Sequence, residues 1–589
     1  MAIRILSQDI VRKIAAGEVV TGAFSVIKEL IENSLDAEAT QIDIWAKNGG
    51  KEYISVADNG VGMNSDDLKL AIKPHTTSKI ERFSDLDNLV SYGFRGEALS
   101  TIASVSRMKI SSRSENDDLG LLLEIASGQI KKEQPVSRDI GTTVEVYDLL
   151  FNTPARRKFL KSKAVEGRMI TETVERFVLS HSGIGFKYLR DDKLIYDISP
   201  TSTIIERITQ LFPEIKSGEL IEIEDKVQMP GISVNGFIVM PNKTRPNRLG
   251  EMIFVNGRYV KQPVLNFSVE QGYAESLEKG RFPYCFIFLK LSPDQIDVNI
   301  HPQKLEVKFS NTTQVKKALS KTIRETLRSK GNFSIRIEKR EREKESYQSF
   351  NNRKEGSKEP RMVKERFNEE NVLSRKRNEH FNLPMEVERN FFRHLKREKE
   401  EDNDIENVEV IGVLGERYII AEVDEGLLII DLHAAHERIT YEKLNETNEV
   451  SSQNLLQPIT ISLNNTSMEI VKDFKTLLNE FGFYFDVHSD KIMLKSIPYV
   501  LDSNNLENSF RDIVDELRLG VFKNKKELRK AVMAEIACKT SFRTGDMLNL
   551  EQAEALISEL KKRKLLVCPH GRPLTMLLKF PDLDNYFSR

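Results

Sequence analysis

The sequence has little cysteine, almost no net charge and no long apolar run, and each shortage removes a class of protein. Three cysteines in 589 residues exclude a disulfide scaffold and fit a reducing compartment. Lys+Arg at 88 against Asp+Glu at 89 leaves a formal net charge of -1. That balance excludes a globally basic nucleic-acid binder but leaves local basic surface open. No stretch approaches the roughly 20 apolar residues that span a bilayer, so a membrane is not an expected partner. Met1-Ala-Ile-Arg-Ile-Leu6 also lacks the apolar core of a signal peptide. A soluble, intracellular, multidomain protein is expected, with about three or four domains at roughly 100–200 residues each.

What is present changes sharply near Lys330. Between Gly331 and Glu400 stand 19 Lys/Arg and 14 Asp/Glu, with apolar residues in ones and twos. Such a segment buries too little to offset its ordering entropy, which predicts a charged, disordered tether. Two roles fit it, a solvated spacer and a salt-sensitive arm on phosphates. On either side the patterning is that of folded α+β protein. Gln41–Trp45 and Tyr53–Ala57 alternate as strands, while Gly22–Leu35 puts Val26, Ile27, Leu30, Ile31 and Leu35 on one helical stripe. After the tether, Val408–Ile411 and Leu427–Asp431 read as strands, and Ala434–Asn445 and Leu556–Leu560 as helices.

Chemistry gathers at both folded ends. On the first helix Glu29, Asn33 and Asp36 project from nearby faces. A carboxylate beside an amide suits a base next to a metal-holding group. Asp58-Asn59-Gly60-Val61-Gly62 follows a strand, where glycines permit close backbone approach and a carboxylate can accept an adenine amino proton. Thr76-Thr77-Ser78-Lys79 and the Gly93-Phe94-Arg95-Gly96-Glu97-Ala98-Leu99 loop come next, the latter entering a helix start that can cradle phosphate. Gly141-Thr142-Thr143-Val144 closes the set. In the second folded end, Asp431, His433 and Glu437 share a strand-to-helix junction, and Cys538, Cys568 and His570 add thiols and an imidazole. Together these are ligands for borderline divalent metals such as Zn²⁺ or Mn²⁺.

In this order, the Ile14–Val20, Glu29–Ala37, Asp58–Gly62, Gly93–Leu99 and Phe151–Arg157 segments resemble the MutL family of DNA mismatch repair proteins, whose amino-terminal domain belongs to the GHKL ATPases. The resemblance spans residues 1 to about 330 and resumes at about 407. It implies an α+β multidomain chain: a GHKL α/β sandwich ATPase at 1–205 and a ribosomal-protein-like α/β transducer at 206–330. The charged linker at 331–406 then leads to a dimerisation and endonuclease domain at 407–589, with a regulatory subdomain near 455–545. It implies ATP with Mg²⁺ as cofactors, Glu29 as general base and Asn33 as Mg²⁺ ligand. Asp58 would read adenine. Gly62, Thr77, Ser78, Lys79, the Gly93–Leu99 loop and Thr143 would line the nucleotide, and Lys304 would reach the γ-phosphate.

Asp431–Glu442 resembles the endonuclease signature of nicking family members, which implies catalytic Asp431 and Glu437. The metal set it implies is Asp431, His433, Glu437, Cys538, Cys568 and His570. His436 is expected as a solvated helix residue outside that set. The sequence departs from the pattern at Leu432, where the family usually has glutamine, and at Gly22-Ala23, where a proline usually starts the helix. Gln453, Leu456 and Pro458 resemble a sliding-clamp-binding peptide, and Phe587-Ser-Arg589 a terminal family motif. The implied partners are DNA, a mismatch sensor of the MutS type, a sliding clamp and a second copy of the chain. The implied location is the cytoplasm, with the nucleoid.

The tether's two roles separate experimentally. Replacing its Lys/Arg with Gln should weaken DNA binding and flatten its salt dependence, because fewer counterions are released. An unchanged slope in a binding titration would leave the segment a spacer.

Overall fold

The computed structural model describes residues 20–79, 92–93, 96–201, 203–223, 229–278, 280–297, 307–330, 408–415, 417–446, 450–488, 491–501, 506–519, 525–540, 549–563, 565 and 573–587. The chain forms two compact units. The first comprises Met1–Asn332 with Lys443–Thr540, the second Phe333–Glu442 with Ser541–Arg589. The expected tether lies outside the described residues.

The first unit is built on an eight-stranded sheet. Its strands are β1 (Gln41–Lys47), β2 (Tyr53–Asp58), β3 (Arg107–Arg113), β4 (Gly120–Ala126), β5 (Gln129–Val136), β6 (Gly141–Tyr147), β7 (Gly185–Arg190) and β8 (Lys193–Ile198). Their spatial order is β5-β4-β3-β6-β2-β1-β7-β8. Neighbours run antiparallel except β1 and β7, which pair in parallel from Gln41↔Gly185 to Ala46↔Arg190. Along β1 the burial alternates, with Ile42, Ile44 and Ala46 inward, as the sequence pattern requires of a strand with one covered face.

Helix α1 (Ala23–Asp36) buries Val26, Ile27, Leu30 and Ile31 of the expected stripe, with Ala23 added at its start and Leu35 only partly buried at its end. Where a proline would preset the first turn, another device holds it. Ser25 Oγ donates to the Gly22 carbonyl at 2.8 Å, and Glu166 Oε2 accepts the Ala23 N–H at 3.2 Å. Glu166 belongs to helix α2 (Lys163–Ser180), which packs along α1. Both helices cover the sheet.

The apolar core of the sheet continues into residues 206–330, where Phe212, Phe237, Phe254 and Phe286 join the same cluster. This part holds a five-stranded sheet. In it Glu251–Val255 runs parallel to Cys285–Leu291, and the helices Pro263–Tyr273 and Thr312–Lys330 pack together beside it.

Residues 443–540 add a three-stranded sheet, in the order Ser452–Ser462, Lys491–Pro498, Tyr484–Val487. With it come the helices α3 (Asn465–Asp473) and α4 (Leu506–Leu519), followed by the helix Lys525–Thr540. The second unit contains a four-stranded sheet in the order Val408–Leu414, Tyr418–Val423, Gly426–Asp431, Thr575–Lys579. The helices Leu432–Glu446 and Leu550–Lys562 pack on it through Leu432, Ala435, Ile439, Leu556 and Leu560. The fold class is therefore the expected α+β multidomain one.

Glu251 opens its strand deep in the fold, 3% exposed. Asn266 Nδ2 donates to its Oε2 at 2.5 Å, and Arg248 Nε lies 3.8 Å away. Burial dominates, and it pushes the Glu251 carboxyl up to about 8. The folded chain thus holds a proton that the unfolded chain releases near the ordinary carboxylate range. Stability from this group is full at low pH and falls as pH rises from there through about 8. Glu251→Gln should flatten that part of the pH profile, read from urea midpoints between about pH 5 and pH 8. An identical slope in the variant would place the proton elsewhere.

Candidate functional site

The helix α1 and the ends of β2 and β6 converge on Asp58. Its Oδ2 accepts from Ser34 Oγ at 2.8 Å, while Oδ1 accepts the N–H groups of Gly60 at 3.0 Å and Thr142 at 3.2 Å. Three donors thus fix the carboxylate in one orientation. An ionised carboxylate offers about four lone-pair positions, so one stays available to an amino group. Thr143 stands beside it in register with Ala57.

Glycine is required around this group for a measurable reason. A Cβ on Gly60 would lie 2.4 Å from the Ala37 carbonyl oxygen, and one on Gly62 would lie 2.0 Å from that of Arg113. Gly62 also has φ +68° and Gly96 φ +62°, the left-handed region that other residues avoid. At Gly96 the obstacle is the Thr76 carbonyl, 2.2 Å from where a Cβ would stand. The backbone here is packed against itself, and any side chain would close it.

Four residues on from Glu29, Asn33 Oδ1 lies 3.4 Å from Lys79 Nζ. Lys79 also pairs with Asp36, and Asp36 accepts the N–H groups of Tyr92 at 2.8 Å and Gly93 at 3.2 Å. Thr77 Oγ1 accepts the Lys79 N–H at 3.1 Å. One carboxylate therefore ties the Thr77–Lys79 segment and the loop at Gly93 to α1. Glu29 itself is half-buried beside Lys28, 3.2 Å away, and Lys28 also reaches Glu32 at 2.8 Å. Desolvation opposes the charge on Lys28, but Glu32 and Glu29 outweigh it and hold its pKa above the ordinary lysine value. Glu97 lies 3.2 Å from His75 Nδ1, and Ala98 and Leu99 begin the helix Ala98–Ser104. Phe94, Arg95 and Lys304 lie outside the described residues. Ser34 and Tyr92 were not singled out in the sequence; both sit next to residues that were. Tyr92 links this site onward, its hydroxyl 2.9 Å from His181 Nε2 and 3.3 Å from the Gly257 carbonyl.

The second unit places Asp431 at the junction of the strand Gly426–Asp431 and the helix Leu432–Glu446. Its Oδ1 accepts the Ala434 N–H at 2.9 Å, which makes it the cap of that helix. Leu432 is 2% exposed in the core, so an apolar residue suits the position where the family usually has glutamine. His433 is exposed and Glu437 buried, so the helix turns them into different surroundings despite their spacing of four. His436 is half-buried rather than solvated, because the helix rests on the sheet along that side. Cys538 belongs to the first unit, on the helix Lys525–Thr540. Cys568 and His570 lie outside the described residues, as do Ser588 and Arg589. Among the described residues, no group of three or more His, Cys, Asp and Glu is placed to hold a metal ion.

Gln453, Leu456 and Pro458 fall on the strand Ser452–Ser462, where the ladder breaks between Asn454↔Ser496 and Ile459↔Leu494. The intervening residues bulge outward, and Leu456 is fully exposed at 104%.

Three families match successive parts of the chain. The Histidine kinase-, DNA gyrase B-, and HSP90-like ATPase family matches residues 21–150. The DNA mismatch repair protein, C-terminal domain, matches 208–328, and the MutL C terminal dimerisation domain matches 411–548. The DNA mismatch repair protein MutL of Kosmotoga olearia is 48% identical over 606 residues, covering all of both chains. The chain belongs to the MutL family. A second MutL relative, from Fervidobacterium nodosum, is 42% identical across all of this chain and 99% of its own. A crystal structure of the N terminal domain of a DNA repair protein aligns at 26% identity and a TM-score of 0.47, covering 54% of this chain and 98% of that one. As a MutL protein, the chain is a DNA mismatch repair protein with an ATP-binding GHKL ATPase domain and a MutL dimerisation domain. No helix among the described residues is long and apolar enough to cross a membrane.

Proposed function

We propose that this MutL protein is an ATP-gated homodimer that couples mismatch recognition to strand nicking. The observation that carries the ATP reading is the arrangement around Asp58. A carboxylate with one acceptor position left faces a backbone that only glycine can line. Asp58 accepts the adenine amino proton there. Gly62, Gly93, Gly96 and Thr143 bring main chain and hydroxyl to the nucleotide. Thr77, Ser78 and Lys79, with Phe94, Arg95, Glu97, Ala98, Leu99 and Lys304, extend that contact toward the phosphates. Asn33 would hold Mg²⁺, whose charge neutralises phosphate oxygens when bound. Glu29, on the same face one turn before Asn33, takes the proton of the attacking water. We further assign domain limits of 1–205, 206–330, 331–406 and 407–589.

For the nicking reading the support is the donor chemistry of Asp431, His433, Glu437, Cys538, Cys568 and His570, which suits Zn²⁺ or Mn²⁺. The described members alone do not assemble such a site, and no step is derived through the metal. The bulged Leu456 is offered to a sliding clamp, and a MutS-type sensor would load the protein on DNA. One observation favours a second reading, an ATP-switched adaptor with a structural metal: Asp431 already serves as a helix cap.

Two experiments test this. Glu29→Ala should stop ATP turnover, a loss of about 10²–10⁴-fold, while nucleotide binding by calorimetry persists. Loss of binding in parallel would make Glu29 structural. Asp431→Asn isolates the charge, because asparagine caps a helix as well as aspartate does. It should abolish nicking of supercoiled plasmid in Mn²⁺ with ATPase activity intact. Wild-type nicking by this variant would leave the adaptor.

A further inference from the structure

Residues 443–540 share a compact unit with residues far earlier in the chain, and the contact between them is ionic in an unusual pattern. Arg190, at the end of β7, forks onto Glu469 of α3, with both arms at 2.7 Å. Arg168 of α2 lies 3.6 Å from Asp473 at the end of α3. Arg245 Nε donates to Asp515 Oδ2 of α4 at 2.7 Å, and its Nη2 pairs with the other oxygen. One turn earlier, Asp512 accepts from Arg281 at 2.6 Å. The polarity then reverses. Arg518 of α4 enters between acids of α2, with Nε 3.1 Å from Glu172 and Nη2 4.0 Å from Glu175. Glu175 also accepts from Thr466 at 2.6 Å and from Tyr196 at 2.7 Å. Positive and negative groups thus cross the contact in both directions.

Burial makes this arrangement selective. Side chains of Arg245 and Asp515 are 5% and 2% exposed, and Arg518 is 4% exposed. A charge buried at such depth is tolerated only opposite its partner, so a shift of α4 by one residue would strand several charges at once. Bidentate arginine–carboxylate geometry adds direction to the constraint. The pairs therefore specify one seating. Burial raises the Glu469 carboxyl to about 7, against the pull of Arg190, in keeping with a contact that excludes water.

The seat leads to the nucleotide site. Helix α2 carries Arg168, Glu172 and Glu175 on the contact and, nearer its start, Glu166, which accepts the first N–H of α1. Helix α1 carries Glu29 and Asn33.

We propose that residues 443–540 are a docking module for the ATPase and transducer domains of the same chain, seated by crossed ion pairs and bearing on α1 through α2. The module braces α2, and α2 braces the start of α1. Neither statement depends on the nicking reading or on which metal is used.

Hydrogen exchange on the full chain tests it. Glu469→Arg should speed exchange of backbone amides in α2, in β8 and in the first turn of α1 by about tenfold or more, with β1 and β2 protected as in the wild type. Glu469→Arg combined with Arg190→Glu should restore protection, because the pair is re-formed with its polarity exchanged. If the reversal disturbs β1 and β2, Glu469→Gln removes the charge with less disruption and is read the same way. Wild-type exchange in α2 for both Glu469→Arg and Glu469→Gln would overturn the docking. Equal mixtures of Glu469→Arg and Arg190→Glu chains give the remaining arm. Protection regained on mixing would mean that the module seats on a second copy, and would overturn the same-chain assignment.

Discussion

Asp58 is the point on which the amino-terminal domain depends. Through Ser34 it joins α1 to the end of β2, and through the N–H groups of Gly60 and Thr142 it fixes both the turn and the start of β6. This half-buried carboxylate uses its donors to offset the water it gives up, since an acceptor left unmet on burial costs about 1–3 kcal/mol and more when charged. Its three protein donors hold the charge still while leaving it incomplete. Helix, strand and glycine turn are positioned around that requirement. Under the proposed function, the group that organises this part of the fold is also the one that meets the nucleotide.

Much of this was legible beforehand because the sequence expresses it locally. The stripe Val26, Ile27, Leu30, Ile31 predicts α1, and the alternation along β1 and β2 predicts two strands. The glycines at 60, 62 and 96 are where main chain passes within contact distance of main chain, and a residue without Cβ is visible in any sequence. What was not legible is pairing at long range. Nothing near Glu166 says that it will hold the first N–H of α1, and nothing near Asp515 points to Arg245. Charges separated by hundreds of residues carry no periodic mark, so residues 443–540 read as part of the carboxy-terminal end although their ion pairs lie with the first unit.

Asp431 teaches the opposite lesson. A motif names residue types, but a side chain at a strand-to-helix junction answers first to the backbone beside it. The helix Leu432–Glu446 has an N-terminal N–H to satisfy, and Asp431 satisfies it. A spacing of four brings His433 and Glu437 to one side of a helix, whereas the packing of the helix on its sheet gives them different exposure. The motif's geometry is therefore set as much by the core residues Leu432 and Ala435 as by its polar members.

The strand order also decides how the large sheet avoids pairing with a neighbour. Edge strands offer unpaired backbone groups to any passing strand. At one edge β5 carries Lys131, Lys132 and Glu133 exposed, with Pro135 near its end, which blunts it by charge and by a missing donor. At the other edge β8 leaves Leu194 54% exposed, and its Ile195 carbonyl is occupied by the Asn465 side chain at 2.6 Å. One edge is protected by its own sequence, the other by a segment synthesised some 270 residues later. During synthesis, therefore, the β8 edge stands uncovered for the whole interval before Asn465 emerges, and an amino-terminal fragment keeps it uncovered permanently.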